Sequence, residues 1–253
     1  MTPEPASRSI PDLAAAFDGP FCFARGSLVL EAEGLEAVPC STLLEGGRIG
    51  ELVARFGAGR YPGADATAVL SMWSQFYMTV LIYPVFATRL LLRREMVLDP
   101  GDTALVLGSD AAPMALQLAG PGQVLADAMD EPSLRRFLVQ HLEPMVSAIA
   151  AAGRISAKVI WGNAGVRIGH ALRMLAARPE VRPAAEVLMQ RLFSDSSWPG
   201  GGENPLQRTF HAAASPWEEA PRRRVCCLRY HLPGLEQGCG TCPLPRIQLQ
   251  HAA

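Results

Sequence analysis

The sequence predicts an α+β protein dominated by helices, with a few short antiparallel strands and a metal-binding module at its C-terminal end. Three observations carry that reading. Apolar residues recur at helical spacing in several windows between residues 41 and 193. Thr103-Ala-Leu-Val-Leu and Met114-Ala-Leu-Gln-Leu flank Gly108-Ser-Asp-Ala-Ala-Pro, the pattern of a β-hairpin. Four of the six cysteines crowd into residues 226–242. Divided where the pattern changes, the chain has an N-terminal segment of strand hairpin plus helix, 1–65, a helical core with one β-hairpin, 66–215, and the cysteine module, 216–253.

The elements follow in order. Residues 1–20, with prolines at 3, 5, 11 and 20, read as a loose lead-in. Phe21 to Gly34 alternates around Arg25-Gly26-Ser27 and suggests a short hairpin, with Cys22 in its first strand and Cys40 in a later loop. Both thiols read as small buried hydrophobes. Ser41 to Phe56 predicts a helix with Ser41 or Thr42 as N-cap and Glu45 placed for a capping box. Ala66 to Arg94 is the most hydrophobic stretch. Only thirteen residues separate Gln75 from Arg89, and Pro84 interrupts them. A membrane span needs about twenty apolar residues, so this is a buried core helix, kinked or ended near Pro84. Its aromatic run, Trp73, Phe76, Tyr77, Tyr83 and Phe86, reads as core packing, with some of it available to wall a pocket.

Pro132 to Ala152 returns to helical spacing, with Pro132 in the first turn. Ser156 caps a helix running to Ala177; within it Gly162-Asn163-Ala164-Gly165 weakens the helical signal and would let another backbone or a ligand approach closely. Arg182 to Phe193 is amphipathic, Asp195 to Pro205 is a loop, and Thr209 to Ala213 predicts a short strand.

Composition narrows the chemistry. A net charge of -1 and a sequence pI near 6.5 exclude nucleic acid as a partner, because phosphate binding needs a concentrated basic surface. No basic stretch leads into an apolar one at the N-terminus, which predicts a cytoplasmic chain with reduced thiols. Neither GxGxxG after a strand nor a P-loop occurs, and no Gly-x-Ser-x-Gly elbow. The histidines (His141, His170, His211, His231, His251) form no HExxH pair.

The cysteines are spaced C-C-x11-C-x2-C: Cys226, Cys227, Cys239 and Cys242. Four thiols this close complete the ligand set of one tetrahedral metal or one iron–sulfur cluster. A turn over two residues aims both thiolates of Cys-x2-Cys at one centre, and Gly238 and Gly240 supply its backbone freedom. The adjacent pair needs a bend, since neighbouring side chains on a strand point to opposite faces. Zinc remains an alternative at this point, although a structural zinc site more usually pairs two knuckles of one kind. Disulfides fit poorly with a reducing compartment. His231 follows Cys227 by four residues and reads as a neighbour of the centre or as solvent-exposed.

CCxRYxLP followed by C-x2-C resembles the signature of FhuF-type ferric-siderophore reductases. Trp73 to Leu92, Ile155 to Leu172 and Gly202 to Phe210 resemble further blocks of that family in the same order, so the likeness runs from about residue 70 to the end. The family more usually has ten residues between the cysteine pairs; Gly238 is the natural extra one, changing the loop and not the ligands. The resemblance implies a [2Fe-2S] cluster on Cys226, Cys227, Cys239 and Cys242. It also implies one-electron reduction of an Fe(III)-siderophore, of hydroxamate type, to release Fe(II). The electron would come from a ferredoxin or a flavoprotein reductase. Trp161, Asn163, Asn204, Arg208 and Arg229 are nominated for the substrate because they sit in resembling blocks. Positive charge from Arg222, Arg223, Arg224 and Arg229 would favour the reduced cluster, with Arg229 the first choice. No membrane-spanning segment is expected, and the sequence leaves room for peripheral membrane association. The alternatives are a zinc-binding structural or redox-sensing protein, and a siderophore-binding or biosynthetic accessory protein.

Overall fold

A computed structural model describes residues 13, 16–198 and 200–245; most of the expected lead-in and His251 lie outside them. A 3-10 turn, Gly19–Ala24, precedes β1 (Leu28–Val29), β2 (Glu36–Pro39), α1 (Cys40–Leu44), α2 (Arg48–Arg60) and α3 (Ala66–Leu92). Then come β3 (Arg94–Glu95), β4 (Thr103–Leu107), β5 (Pro113–Leu118) and β6 (Gln123–Val124). The second half is helical: α4 (Glu131–Arg135), a π-helical stretch Arg136–Leu142, α5 (Glu143–Ala152), α6 (Ala157–Ala176) and α7 (Arg182–Phe193).

The axis of the molecule is α3. Asp65 caps it by accepting from the Ala68 N–H at 2.8 Å, and Arg93, in the left-handed region at φ 48°, closes it. The helix is long and apolar enough to cross a membrane, but 78% of its most apolar window is buried within the fold. Burial, and not the spacing of charges, therefore makes it a core helix. It also runs through Pro84, so it does not end there, and Tyr83 and Val85 on either side are buried in the core.

Against α3 pack α6 and, through β5, the sheet. The sheet has the order β1-β5-β4-β2, with β4 and β5 forming the expected hairpin. Residues on both sides of position 65 share this sheet and one core. Ser156 caps α6 by accepting from the Lys158 N–H, as the sequence indicates, and α7 spans the predicted residues. The helix from residue 131 to 152 also forms, with Pro132 in its first turn, but its middle widens into π geometry just ahead of Pro144, which has no N–H to give.

Three expected elements do not form, each for a physical reason. No hairpin forms over Phe21 to Gly34: Phe21 and Ala24 are buried three apart, the period of a 3-10 turn, and β1 pairs parallel with β5. Cys22 is consequently exposed, while Cys40 is buried at the start of α1. The helix expected over Ser41 to Phe56 is broken by Gly46 and Gly47, both near φ +80°, and no side-chain cap forms at its start. Thr209 to Ala213 makes one isolated bridge, Phe210 to Arg223, instead of a strand.

Candidate metal centre

The cysteine module is held by a backbone clip. The Arg224 N–H donates to Thr209 O at 2.9 Å and the His211 N–H to Arg222 O at 2.8 Å, which ties the module to the segment after α7. On the other edge the Arg223 N–H donates to Thr241 O at 3.0 Å, drawing the second cysteine pair back over the first. Cys-x2-Cys closes as a turn, the Cys242 N–H reaching Cys239 O at 3.0 Å, and Gly238 before it has φ 76°. The bend that an adjacent cysteine pair requires lies at Leu228, in the left-handed region at φ 60°, whose N–H points back to Cys226 Sγ at 3.3 Å.

All six cysteines of the chain are free thiols. Cys227 is 2% exposed and Cys226, Cys239 and Cys242 are half-buried. Cys227 Sγ lies 3.6 Å from Cys239 Sγ and hydrogen-bonds Cys226, and Cys242 is within electrostatic reach of Cys226. The hydrogen bond from Cys227 holds the Cys226 thiol below its ordinary value, whereas the separate Cys227–Cys239 contact and burial push Cys239 upward. Among the described residues no three His, Cys, Asp or Glu donors converge on one point. Four thiolates gathered by this fold are the donor set of a two-iron cluster, which divides them between two metals. The donor set fits that group.

Polar residues of the core grip this module from beneath. Ser71 of α3 donates its hydroxyl to Cys227 O at 2.7 Å. Asn163 of α6 donates through Nδ2 to Ser71 O, Ser71 Oγ and Ser74 Oγ at 3.1, 3.1 and 2.8 Å, and its Oδ1 accepts from Arg223 at 2.9 Å. The small residues around Asn163 admit their neighbours at contact: a Cβ on Gly162 would come 2.6 Å from the Arg223 guanidinium, and one on Gly165 would meet Thr209. Ser71 and Ser74 were missed in the sequence; the available signal was two hydroxyls three apart inside an otherwise apolar helix.

A cleft of about 400 Å³ opens beside the cysteines, lined by Lys158, Trp161, Glu203, Arg208, Arg224 and Val225 among others. Val225 precedes Cys226 directly. Of the nominated substrate residues, Trp161 and Arg208 line this cleft. Asn163 and Asn204 do not: they are 1% and 2% exposed with their amides in use. Asn204 caps the 3-10 turn Pro205–Arg208 through the Leu206 N–H and binds the carbonyls of Leu192 and Asp195, so the amides of both asparagines are engaged within the fold. Arg229 lies in the turn Arg229–His231, away from the cleft lining, and His231 is solvent-exposed against the ring of Tyr230.

Comparison with known proteins matches this geometry. The family model described as ferric iron reductase FhuF-like transporter covers residues 71–216, and the model of the FhuF 2Fe-2S C-terminal domain covers residues 223–244. Over 184 residues the chain is 27% identical to a protein of Escherichia coli (strain K12) named ferric siderophore reductase, an overlap of 70% of this chain and 65% of that protein. The chain thus matches just under two thirds of that relative's length. The second match contains all four clustered cysteines, and with it the cofactor is a [2Fe-2S] cluster. With the two matches in order over the core and the cysteine module, the chain belongs to the FhuF-like ferric iron reductase family and carries that family's 2Fe-2S C-terminal domain.

Proposed function

We propose that this protein is a cytoplasmic ferric-siderophore reductase. Cys226, Cys227, Cys239 and Cys242 hold the cluster, and the ferric chelate docks in the cleft against Trp161. A bound [2Fe-2S] cluster takes up and gives back one electron at a time. One electron converts chelated Fe(III) to Fe(II), which hard oxygen ligands hold far more weakly, and the metal leaves with the siderophore unchanged. The protein need supply only docking and a tuned potential. The electron is replaced by a ferredoxin or by a flavoprotein using a reduced nicotinamide.

The observation that carries this reading is that the cleft wall includes Arg224 and Val225, the two residues that lead into Cys226. The cleft combines an aromatic wall with three cationic side chains (Lys158, Arg208, Arg224) and two anionic ones (Glu143, Glu203). Such a near-balanced lining suits a hydroxamate chelate of low charge better than a strongly anionic one. Arg208 is steadied by Glu203 at 3.5 Å on the exposed rim.

The test is made on anaerobically purified protein, reduced with dithionite and freed of excess reductant. A ferric hydroxamate chelate should reoxidise it, abolishing its S = 1/2 EPR signal, while a ferrous-specific dye captures one Fe(II) per cluster. Serine at any of the four cluster cysteines should bleach the visible absorption and stop the reaction. A reduced cluster that ferric chelates leave untouched would refute the proposal, and a colourless protein with one zinc per chain would replace it with the zinc reading.

A further inference from the structure

Arg223 is 2% exposed, whereas the arginines on either side of it, Arg222 and Arg224, are exposed. A guanidinium keeps its charge in proteins, and burying a charge is costly unless an opposite charge faces it. Arg89, also buried at 4% exposed, has Glu95, Asp130 and Asp127 within electrostatic reach. Arg223 has no carboxylate within ion-pair distance among the described residues: its side chain donates to the neutral Asn163 amide, and its Nε is buried with no hydrogen-bond partner. Gly162 leaves the space the guanidinium occupies. What lies beside it is the thiol set. Its backbone N–H binds Thr241 O, between Cys239 and Cys242, and its guanidinium is joined to the Cys227 carbonyl by three hydrogen bonds, through Asn163 and the Ser71 hydroxyl.

We infer that the Arg223 guanidinium is the built-in counter-charge of the iron–sulfur centre and that Asn163 is the positioning residue that aims it there without neutralising it. The inference rests on the reading of the four cysteines as cluster ligands. The orientation of Asn163 is fixed by its three oxygen acceptors, which commit Nδ2 to α3 and leave Oδ1 for Arg223. A carboxylate at that position would cancel the charge of Arg223 and lose the bonds that Nδ2 donates to α3. Because a cluster gains one negative charge on reduction, an adjacent cation stabilises the reduced form more and raises the potential. Arg229, the first choice from the sequence, also has a buried Nε without a hydrogen-bond partner, but its side chain as a whole is only partly buried.

The experiment is an EPR-monitored redox titration of the anaerobically purified holoprotein. Arg223→Met should shift the one-electron equilibrium at least tenfold towards the oxidised cluster, about 59 mV in midpoint potential. Asn163→Asp should shift it in the same direction, and Arg223→Lys should retain most of the wild-type value. A merely structural Arg223 would lower thermal stability in Arg223→Met and leave the potential of the remaining folded protein where it was, which overturns the inference. If Arg223→Met does not fold, Arg223→Gln, which removes the charge and keeps an N–H donor in the side chain, decides by itself: a wild-type potential there also overturns it. Wild-type protein that assembles no [2Fe-2S] cluster would overturn the ligand reading instead, an outcome separable from the first.

Discussion

Two glycines one turn apart on α6 should respond to alanine in opposite directions. Both lie inside the helix, so each Gly→Ala change gains about 1 kcal/mol from helix propensity. At Gly169 the added Cβ meets its nearest neighbours, Arg173 and Phe210, at 3.4 Å, an ordinary contact, and the gain is kept. At Gly165 it would come 2.6 Å from Thr209 Cγ2 and 2.9 Å from Thr209 Cβ. Thr209 is 4% exposed and sits in the clip that holds Arg224, so it has little room to retreat. Overpacking of this kind costs about 1–3 kcal/mol. The helix gain cancels in the comparison, so Gly169→Ala should exceed Gly165→Ala in stability by about 1–3 kcal/mol, or about 2–12 °C in melting temperature for a chain of this size. Urea unfolding followed by circular dichroism measures the difference, and iron per chain measures whether the displaced clip still carries the cluster. Equal midpoints for the two variants would refute the close approach of α6 to Thr209, and with it the packing that brings Arg223 to Asn163.

Two further outcomes are expected. Burial, only partly offset by the hydrogen bond to Leu98 O, pushes the His141 pKa down from 6.5 to about 4. A depressed folded pKa means that stability is complete above pH 6.5 and lost as the pH falls towards 4, by up to about 3 kcal/mol at about 1.4 kcal/mol per pH unit. In His141→Gln that segment of the stability profile should flatten relative to wild type; an unchanged slope would mean that His141 does not carry it. Trp161→Ala, which removes the aromatic wall of the cleft, should raise KM for a ferric hydroxamate about tenfold with the midpoint potential unchanged, corresponding to about 1.4 kcal/mol of lost contact. A wild-type KM would move the docking site elsewhere.

What the sequence made legible was local. The β4–β5 hairpin, the Ser156 cap and the span of α7 depend on neighbours a few residues away, and those readings agree with the structure. The four cysteines were likewise visible as a spaced set. The losses come from partners distant in the chain. Leu28 and Val29 carry no alternation, because β1 is buried on both faces beside Leu116 and Gln117. Ser41 and Glu45 suggested a capping box, but α1 starts at Cys40 with Pro39 at the N-cap, which places Ser41 inside the first turn. Asn163 and Asn204 attracted a substrate role as polar residues in matching blocks, and only the fold reveals that their amides are spent on backbone and serine oxygens. Arg223 could not be told from Arg222 or Arg224 by position in the chain; burial alone separates them.

The boundary between the two family matches, residues 216 and 223, is a boundary of sequence and not of structure. Cys227 reaches Ser71 of α3 through its own carbonyl, Arg223 reaches Asn163 of α6, and Arg224 reaches Thr209 and Phe210 just after the helical core. These contacts meet at one node, where the Ser71 hydroxyl both donates to Cys227 O and accepts from Asn163. A cluster loop that carried its own counter-charge on an exposed arginine would gain little from it, since water screens such a charge. Sinking Arg223 beneath the loop keeps its field strong but leaves a guanidinium out of water, and only the helices below can supply the neutral hydrogen bonds that make this tolerable. The Gly-Asn-Ala-Gly stretch meets both demands, with two residues small enough to admit Arg223 and Thr209 and one amide to aim the charge. The helical core and the cysteine module are therefore parts of one redox site.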